Sequence, residues 1–181
     1  MRRILFVTTS PRSPANSTAL ARQVALGLPA SIRQDWVDLN TITLPAFCDA
    51  RPMLPPPPDP VLADLLARIL LAEMLVIAAP IYWYAFPAPL HLMLSHMSAW
   101  MDQPSSGFHA AMQTKTVTLV TSRADPDPCV PLGAEAMLRR SFEWMGARWH
   151  GGLHGVADAP GDITADPAFA TAPAFLAKVP A

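Results

Sequence analysis

Apolar and polar positions along the chain follow two alternating rhythms. Residues 4–7 form an unbroken β-favouring run, the pattern of a strand buried on both faces. Leu20, Val24 and Leu28, with Ala21 and Ala25 beside them, then recur every four residues and mark one helix face, which Pro29 closes. Residues 32–39 read as a second strand, with Trp36, Val37 and Leu39 as its apolar positions. A long connection follows, containing Pro45, Pro52, the proline run 55–58 and Pro60. That run is stiff polyproline II, excluded from helix and central strand. Val61, Leu62, Leu65, Leu66, Ile69 and Leu70 form a second helical stripe, and residues 74–79 a third buried strand. Leu90, Met93, Leu94, Met97 and Met101 predict a third helix, residues 116–120 a fourth strand, and Met137, Leu138, Phe142 and Met145 a fourth helix ended by Gly146. Residues 149–156 predict the fifth strand, although Gly151, Gly152 and Gly155 are poor strand formers. A last short helix is expected near residues 168–178.

Strand and helix signals alternate throughout, which implies a parallel sheet covered by helices on both faces. Five strands in this length suit an α/β three-layer sandwich with a five-stranded parallel sheet of flavodoxin-like order 2-1-3-4-5. The switch point then lies between strands one and three. With 181 residues, 51% of them apolar, the chain reads as a single domain over residues 1–181, at the upper end of the usual ~100–200. No internal repeat interrupts it, and the proline run is its one low-complexity segment.

Two turns should wall the crevice at that switch point. The first, residues 10–18, offers Ser10, Arg12, Asn16, Ser17 and Thr18: hydroxyls, an amide and a guanidinium at the start of a helix, where unpaired N–H groups and the macrodipole favour an anion. An ordinary N-cap explains the same Asn, Ser and Thr equally well. The second, residues 80–87, places Tyr82, Trp83 and Tyr84 in a row between Pro80 and Pro87. Such rings either cap the core or receive a flat ligand; their position beyond the carboxyl end of a central strand favours the ligand. A phosphorylated flat cofactor such as FMN needs both turns. A triphosphate loop of the Gly-x-x-x-x-Gly-Lys type and a Gly-x-Gly-x-x-Gly after the first strand are both missing from the sequence.

A net charge of −1 and a pI of about 6.5 argue against a nucleic-acid or anionic-membrane surface. The apolar stretch after Arg2 and Arg3 is too short for a secretory core, and Glu73 and Pro80 break the most apolar window, so no membrane span is expected. Cys48 and Cys129 are too few for a disulfide scaffold or a Cys-rich metal site, which fits a reducing cytoplasm. His150 and His154 lack a third ligand, so no metal is expected.

The two turns resemble those of the NADPH-dependent FMN reductase and NAD(P)H:quinone oxidoreductase branch of the flavodoxin-like flavoproteins. Ser10, Pro11, Arg12, Asn16 and Ser17 match the first motif, Pro80 to Tyr84, Pro87, Ala88 and Leu90 the second, and Gly161, Asp162 and Ile163 a third near the last helix. The resemblance implies that Ser10, Arg12, Asn16, Ser17 and Thr18 hold the FMN phosphate. It also implies that Pro80, Ile81, Tyr82 and Trp83, with Tyr84 beside them, line the isoalloxazine, and that a turn over Thr121, Ser122, Arg123 and Ala124 closes its other side. Arg123 then meets the electron-rich edge of the flavin, binds an NADPH phosphate, or is a solvated loop arginine. Departures from the family pattern are Ala15 in place of Ser or Gly, the missing glycines at 121–124, and His91, Ser95 and His96 in place of the usual Lys, Asp and Arg.

The implied activity is hydride transfer from NADPH or NADH to FMN, then electron transfer to a quinone, azo, nitro, metal or flavin acceptor. FMN carries that chemistry, so no acid–base constellation is needed and no catalytic side chain is expected. A flavodoxin-like electron carrier or a non-catalytic FMN-binding protein is the alternative, and a carrier would favour a more acidic chain. The family also implies a homodimer or homotetramer, with Met93, Met97, Trp100, Met101, Met137, Trp144 and Met145 serving either an interface or the core.

Overall fold

The computed structural model describes residues 2–49 and 59–177. The proline run, Pro52 and Lys178 lie outside the described residues. The elements run β1 (Arg3–Thr8), α1 (Asn16–Leu26), β2 (Arg33–Asp38), α2 (Pro60–Leu71), β3 (Met74–Pro80), α3 (Ala88–Asp102), α4 (Phe108–Met112), β4 (Thr116–Arg123), α5 (Val130–Trp144), β5 (Arg148–Val156) and α6 (Pro167–Phe175). The five strands form one parallel sheet of order β2-β1-β3-β4-β5. This is the flavodoxin-like order expected from the sequence.

Residue alternation along the strands divides the apolar side chains between the two faces. Leu5, Val7, Leu75, Ile77, Val117 and Leu119 pack under α2, α3, α4 and α5 with Leu65, Ile69, Leu90, Met93, Leu138 and Phe142. Ile4, Phe6, Val76, Ala78 and Val120 pack under α1 and α6 with Leu20, Val24, Ile163 and Ala172. Met93, Met97, Trp100 and Met145 are therefore core residues, whereas Trp144 is exposed.

Local chemistry starts the helices where the sequence signals them. The Asp59 carboxylate accepts from the N–H groups of Val61 and Leu62 at 2.8 and 3.0 Å, with Pro60 at the first helical position of α2. Asp166 caps α6 in the same way, accepting from Ala168 at 2.8 Å. Gly27, at the end of α1, lies against α6 so closely that a Cβ there would sit 1.9 Å from the Pro173 carbonyl oxygen. Among the described residues, no helix is long and apolar enough to cross a membrane.

Two sequence expectations need correction. β4 does not stop at residue 120: it runs through Thr121 and Ser122 to Arg123. Neighbouring strands extend with it, since Ile81 N–H donates to the Ser122 carbonyl at 2.8 Å and Ala157 N–H to the Arg123 carbonyl at 2.8 Å. The turn expected at 121–124 is thus mostly strand, and its side chains alternate between faces instead of lining one loop. The connection from α3 to β4 also holds α4, whose Phe108 and Met112 are fully buried. At the glycine-rich end of the sheet, β5 accommodates a register shift opposite Val117 and Thr118, where Gly151 takes a positive φ of 129°.

Candidate functional site

The carboxyl ends of β1, β3, β4 and β5 surround a cleft of about 190 Å³ lined by Ser10, Arg12, Asn16, Pro80, Ile81, Tyr82, Ser122, Arg123, Ala124, Ala157 and Asp158. Nine of these are residues anticipated from the sequence. Ser17, Thr18, Trp83, Tyr84 and Thr121 are not on its wall. Ala157 and Asp158 were missed, although β5 ends at the same edge of the sheet and its following loop had to pass there.

The β1–α1 turn is prepared for an anion. Ala15 is the N-cap of α1 and no side chain caps the helix. None of Asn16, Ser17 and Thr18 therefore serves as an ordinary cap, and the first N–H groups remain available to an external acceptor. The Ser17 hydroxyl is buried and has no hydrogen-bond partner. Ser10 Oγ accepts from the Arg12 N–H at 3.2 Å, which folds the turn back on itself. Asn40, in the turn after β2, fastens it by donating to the Ser10 carbonyl at 2.9 Å.

A second loop is strapped to this turn. Asn16 Nδ2 donates to the Ala159 carbonyl at 2.9 Å and its Oδ1 accepts from Gly161 N–H at 2.9 Å. Arg12 Nη1 donates to the Asp158 carbonyl. Asn16 thus positions the β5–α6 loop, with one amide hydrogen left over. Gly161, at φ 95°, makes the bend that brings its N–H there.

On the β3 side, Tyr82 and Ala85 close a two-residue hairpin, with N–H to carbonyl bonds of 2.9 and 3.0 Å in both directions. Its tip residues, Trp83 and Tyr84, have φ of 51° and 63°. Left-handed backbone at both tip positions ordinarily selects Asn-Gly. Two aromatic residues hold it here, with Trp83 94% and Tyr84 66% exposed. The rings cap no core; their hairpin adjoins the cleft through Tyr82.

Arg123 is buried at the end of β4, with Nε 3.2 Å from the Asp127 carbonyl and Nη2 3.4 Å from that of Pro126. The solvated-loop reading of this arginine is therefore wrong. Thr121 points its hydroxyl into the protein without a hydrogen-bond partner.

The profile of the NADPH-dependent FMN reductase family matches residues 2–152. The chain belongs to that family. A Bacillus subtilis relative, YwqN, named as an NAD(P)H-dependent FMN-containing oxidoreductase, is 27% identical over 104 residues, a match spanning 57% of this chain and 58% of that protein. Among solved structures, the Trp repressor binding protein of Bacillus subtilis superposes with a TM-score of 0.75 at 22% identity, covering 96% of this chain and 97% of that one. An FMN-dependent NADH-azoreductase from Bacillus anthracis, solved in complex with FMN, gives 0.68 at 10% identity, covering 98% and 99%. At these identities the two structures speak for the fold.

The family's FMN fits the residues present. Uncapped N–H groups and an unpartnered hydroxyl meet the needs of a phosphate, and Pro80, Ile81 and Tyr82 offer a flat wall. Other histidines are engaged elsewhere: His96 Nε2 lies 2.8 Å from the Pro45 carbonyl, and His154 Nε2 2.7 Å from the Glu135 carboxylate. Cys48 and Cys129 are both free and exposed. No group of three or more His, Cys, Asp and Glu side chains is placed to hold a metal ion among the described residues.

Proposed function

We propose that this protein is an FMN-dependent NAD(P)H oxidoreductase working on a small-molecule acceptor. The observation that carries the reading is the pairing, at one sheet edge, of an uncapped helix N-terminus with an aromatic hairpin held in left-handed backbone. The first has the chemistry of a phosphate site and the second that of a flat-ring site. When bound, FMN supplies the redox chemistry, taking two electrons and a proton from the nicotinamide and passing electrons on.

The chain's own residues bind and orient. Ser10, Arg12, Ser17, Thr18 and the first N–H groups of α1 hold the phosphate, with Asn16 fixing the loop that closes over it. Pro80, Ile81 and Tyr82 would support the isoalloxazine, and Ser122 and Arg123 would face its far side from β4, with Thr121 buried behind them. The cleft of about 190 Å³ falls short of the ~300 Å³ at which pockets for drug-sized ligands begin. A bound flavin would therefore need surface beyond the cleft, and the exposed Trp83 and Tyr84 of the adjoining hairpin could supply it. The acceptor belongs to the quinone, azo, nitro, metal or flavin classes. A single FMN-binding domain, assembled as a homodimer or homotetramer in a reducing compartment, completes the reading.

The test is reconstitution. The purified protein is mixed with FMN, its flavin spectrum recorded, and NADPH or NADH added without oxygen. Rapid bleaching is expected. A yellow protein that neither nucleotide reduces would make it a carrier, and absence of FMN binding would remove both readings. Arg12→Ala should weaken FMN binding if the phosphate lies where proposed.

A further inference from the structure

Arg123 is the deeply buried cation of the cleft wall, 8% exposed at the carboxyl end of β4. Two of its nitrogens donate to neutral carbonyls, those of Asp127 and Pro126, and the third, Nη1, is buried with no partner at all. No carboxylate pairs with it among the described residues. A guanidinium cannot shed its proton. Burying it among neutral groups is costly unless an anion arrives to complete it. The structure thus holds a positive charge ready inside the cleft.

Three negative charges could answer it. The FMN phosphate on α1 already has Arg12, and it follows β1, from which β4 is separated by β3. Two strand spacings put about 10 Å between those positions. An NADPH phosphate lies at the adenosine end of that dinucleotide, away from the nicotinamide that must meet the flavin ring. The third charge is the one the reaction creates. Transfer of hydride from NAD(P)H, two electrons with one proton, yields NAD(P)⁺ and leaves reduced FMN with one negative charge on its ring. We infer that Arg123, on the wall of the cleft, stabilises the anionic edge of reduced FMN by its charge and so raises the reduction potential of the bound flavin. This rests on the FMN reading above and assigns Arg123 a redox-selective role, distinct from general cofactor binding.

The two-electron midpoint potential of bound FMN and the Kd of oxidised FMN are measured for wild type, Arg123→Gln and Arg123→Lys. A lost charge-assisted hydrogen bond to a buried anion should weaken binding of reduced relative to oxidised FMN by about 10- to 100-fold. That lowers the midpoint in Arg123→Gln by about 30 to 60 mV, since a tenfold change in a two-electron couple is about 30 mV. Binding of oxidised FMN should change far less. Arg123→Lys, which keeps the charge, should recover at least half of the shift. A midpoint unmoved in Arg123→Gln, or lowered equally in both variants, overturns the inference while leaving an FMN-binding, NAD(P)H-reduced wild type intact. A wild-type midpoint below that of free FMN overturns it without any variant. A wild type that binds no FMN overturns it together with the proposed function.

Discussion

Replacing Trp83 with asparagine should stabilise the protein without its cofactor and weaken its hold on the cofactor. The reasoning starts from φ of 51° at a residue with a bulky side chain. Left-handed backbone costs an L-residue about 1–2 kcal/mol, because Cβ crowds the following carbonyl. Asparagine is far better tolerated there and is a favoured residue of this turn type, so most of that cost is recovered. Little is given up in exchange. Trp83 is 94% exposed, so on a burial of ~150–250 Å² for a whole aromatic side chain, only about 15 Å² is covered. At ~25 cal/mol per Å² that is worth about 0.4 kcal/mol. The balance is a gain of roughly 0.5–1 kcal/mol, or about 1–4 °C in Tm for a chain of this size. Tyr84 is a poorer target, because a third of it is covered and more packing would be lost.

Thermal melts of wild type and Trp83→Asn without FMN, followed by titration of each with FMN, measure both effects. Loss of one aromatic contact with a flat ring, about 0.5–1.5 kcal/mol, should raise the FMN Kd by about 2- to 12-fold. An unchanged or lower Tm would refute the strain argument. A higher Tm with unaltered FMN binding would leave the strain real but unrelated to the flavin.

Further consequences concern the frame of the site. Asn16→Ala removes both bonds to the 159–161 loop and should cost about 1–3 kcal/mol in urea unfolding, with weaker FMN binding; equal stability would mean the strap is idle. Ala15→Asp supplies the missing cap, so the protein without FMN should gain about 1 kcal/mol. Its carboxylate would occupy the donors meant for the phosphate, and undiminished FMN binding would show that the phosphate lies elsewhere. Lys115, buried with its ammonium donating to the Leu70 and Ala72 carbonyls at the end of α2, has a pKa held below the usual lysine value by burial. Between that lowered value and about 10.4 the unfolded chain binds the extra proton. The contribution of Lys115 to stability therefore rises with pH across that window, and its penalty is fully present below the lowered value. Urea unfolding of wild type and Lys115→Met should show the difference moving in favour of wild type as pH increases; a constant difference would contradict it.

Much of the frame was legible because parallel strands are buried on both faces and carry unbroken apolar runs, as in residues 4–7 and 74–79. What escaped was structure imposed by neighbours. Thr121, Ser122 and Arg123 show no apolar pattern, yet they continue β4 because Ile81 and Ala157 offer N–H groups to their carbonyls. Phe108 and Met112 are one turn apart and too few to mark a stripe, although both are fully buried. Asn16 read as a ligand residue from its place at a helix start. Its actual partners lie on a loop 143 and 145 residues away, a link that only the co-occurring Gly161-Asp162-Ile163 motif hinted at.

Several places where local rules fail cluster at the carboxyl end of the sheet, and this is the strongest reason to put the ligand there. Ala15 opens a helix without a cap, a choice that forgoes about 0.5–2 kcal/mol against Ser or Asp. Trp83 and Tyr84 occupy backbone suited to Asn-Gly, and Ser17 and Arg123 bury polar atoms with no partner. Each taken alone is a small destabilisation of the kind any domain tolerates once or twice. Together they are a set of unmet needs whose chemistry is complementary to one molecule: donors for a phosphate, a cation for a charged ring edge and exposed aromatics for its face. At this end of the sheet consistency between local preference and fold breaks where a partner outside the chain would restore it. Ala15 departs from the family's Ser or Gly and so lacks a possible phosphate hydroxyl. In the folded protein it leaves the helix donors unclaimed, which favours the phosphate.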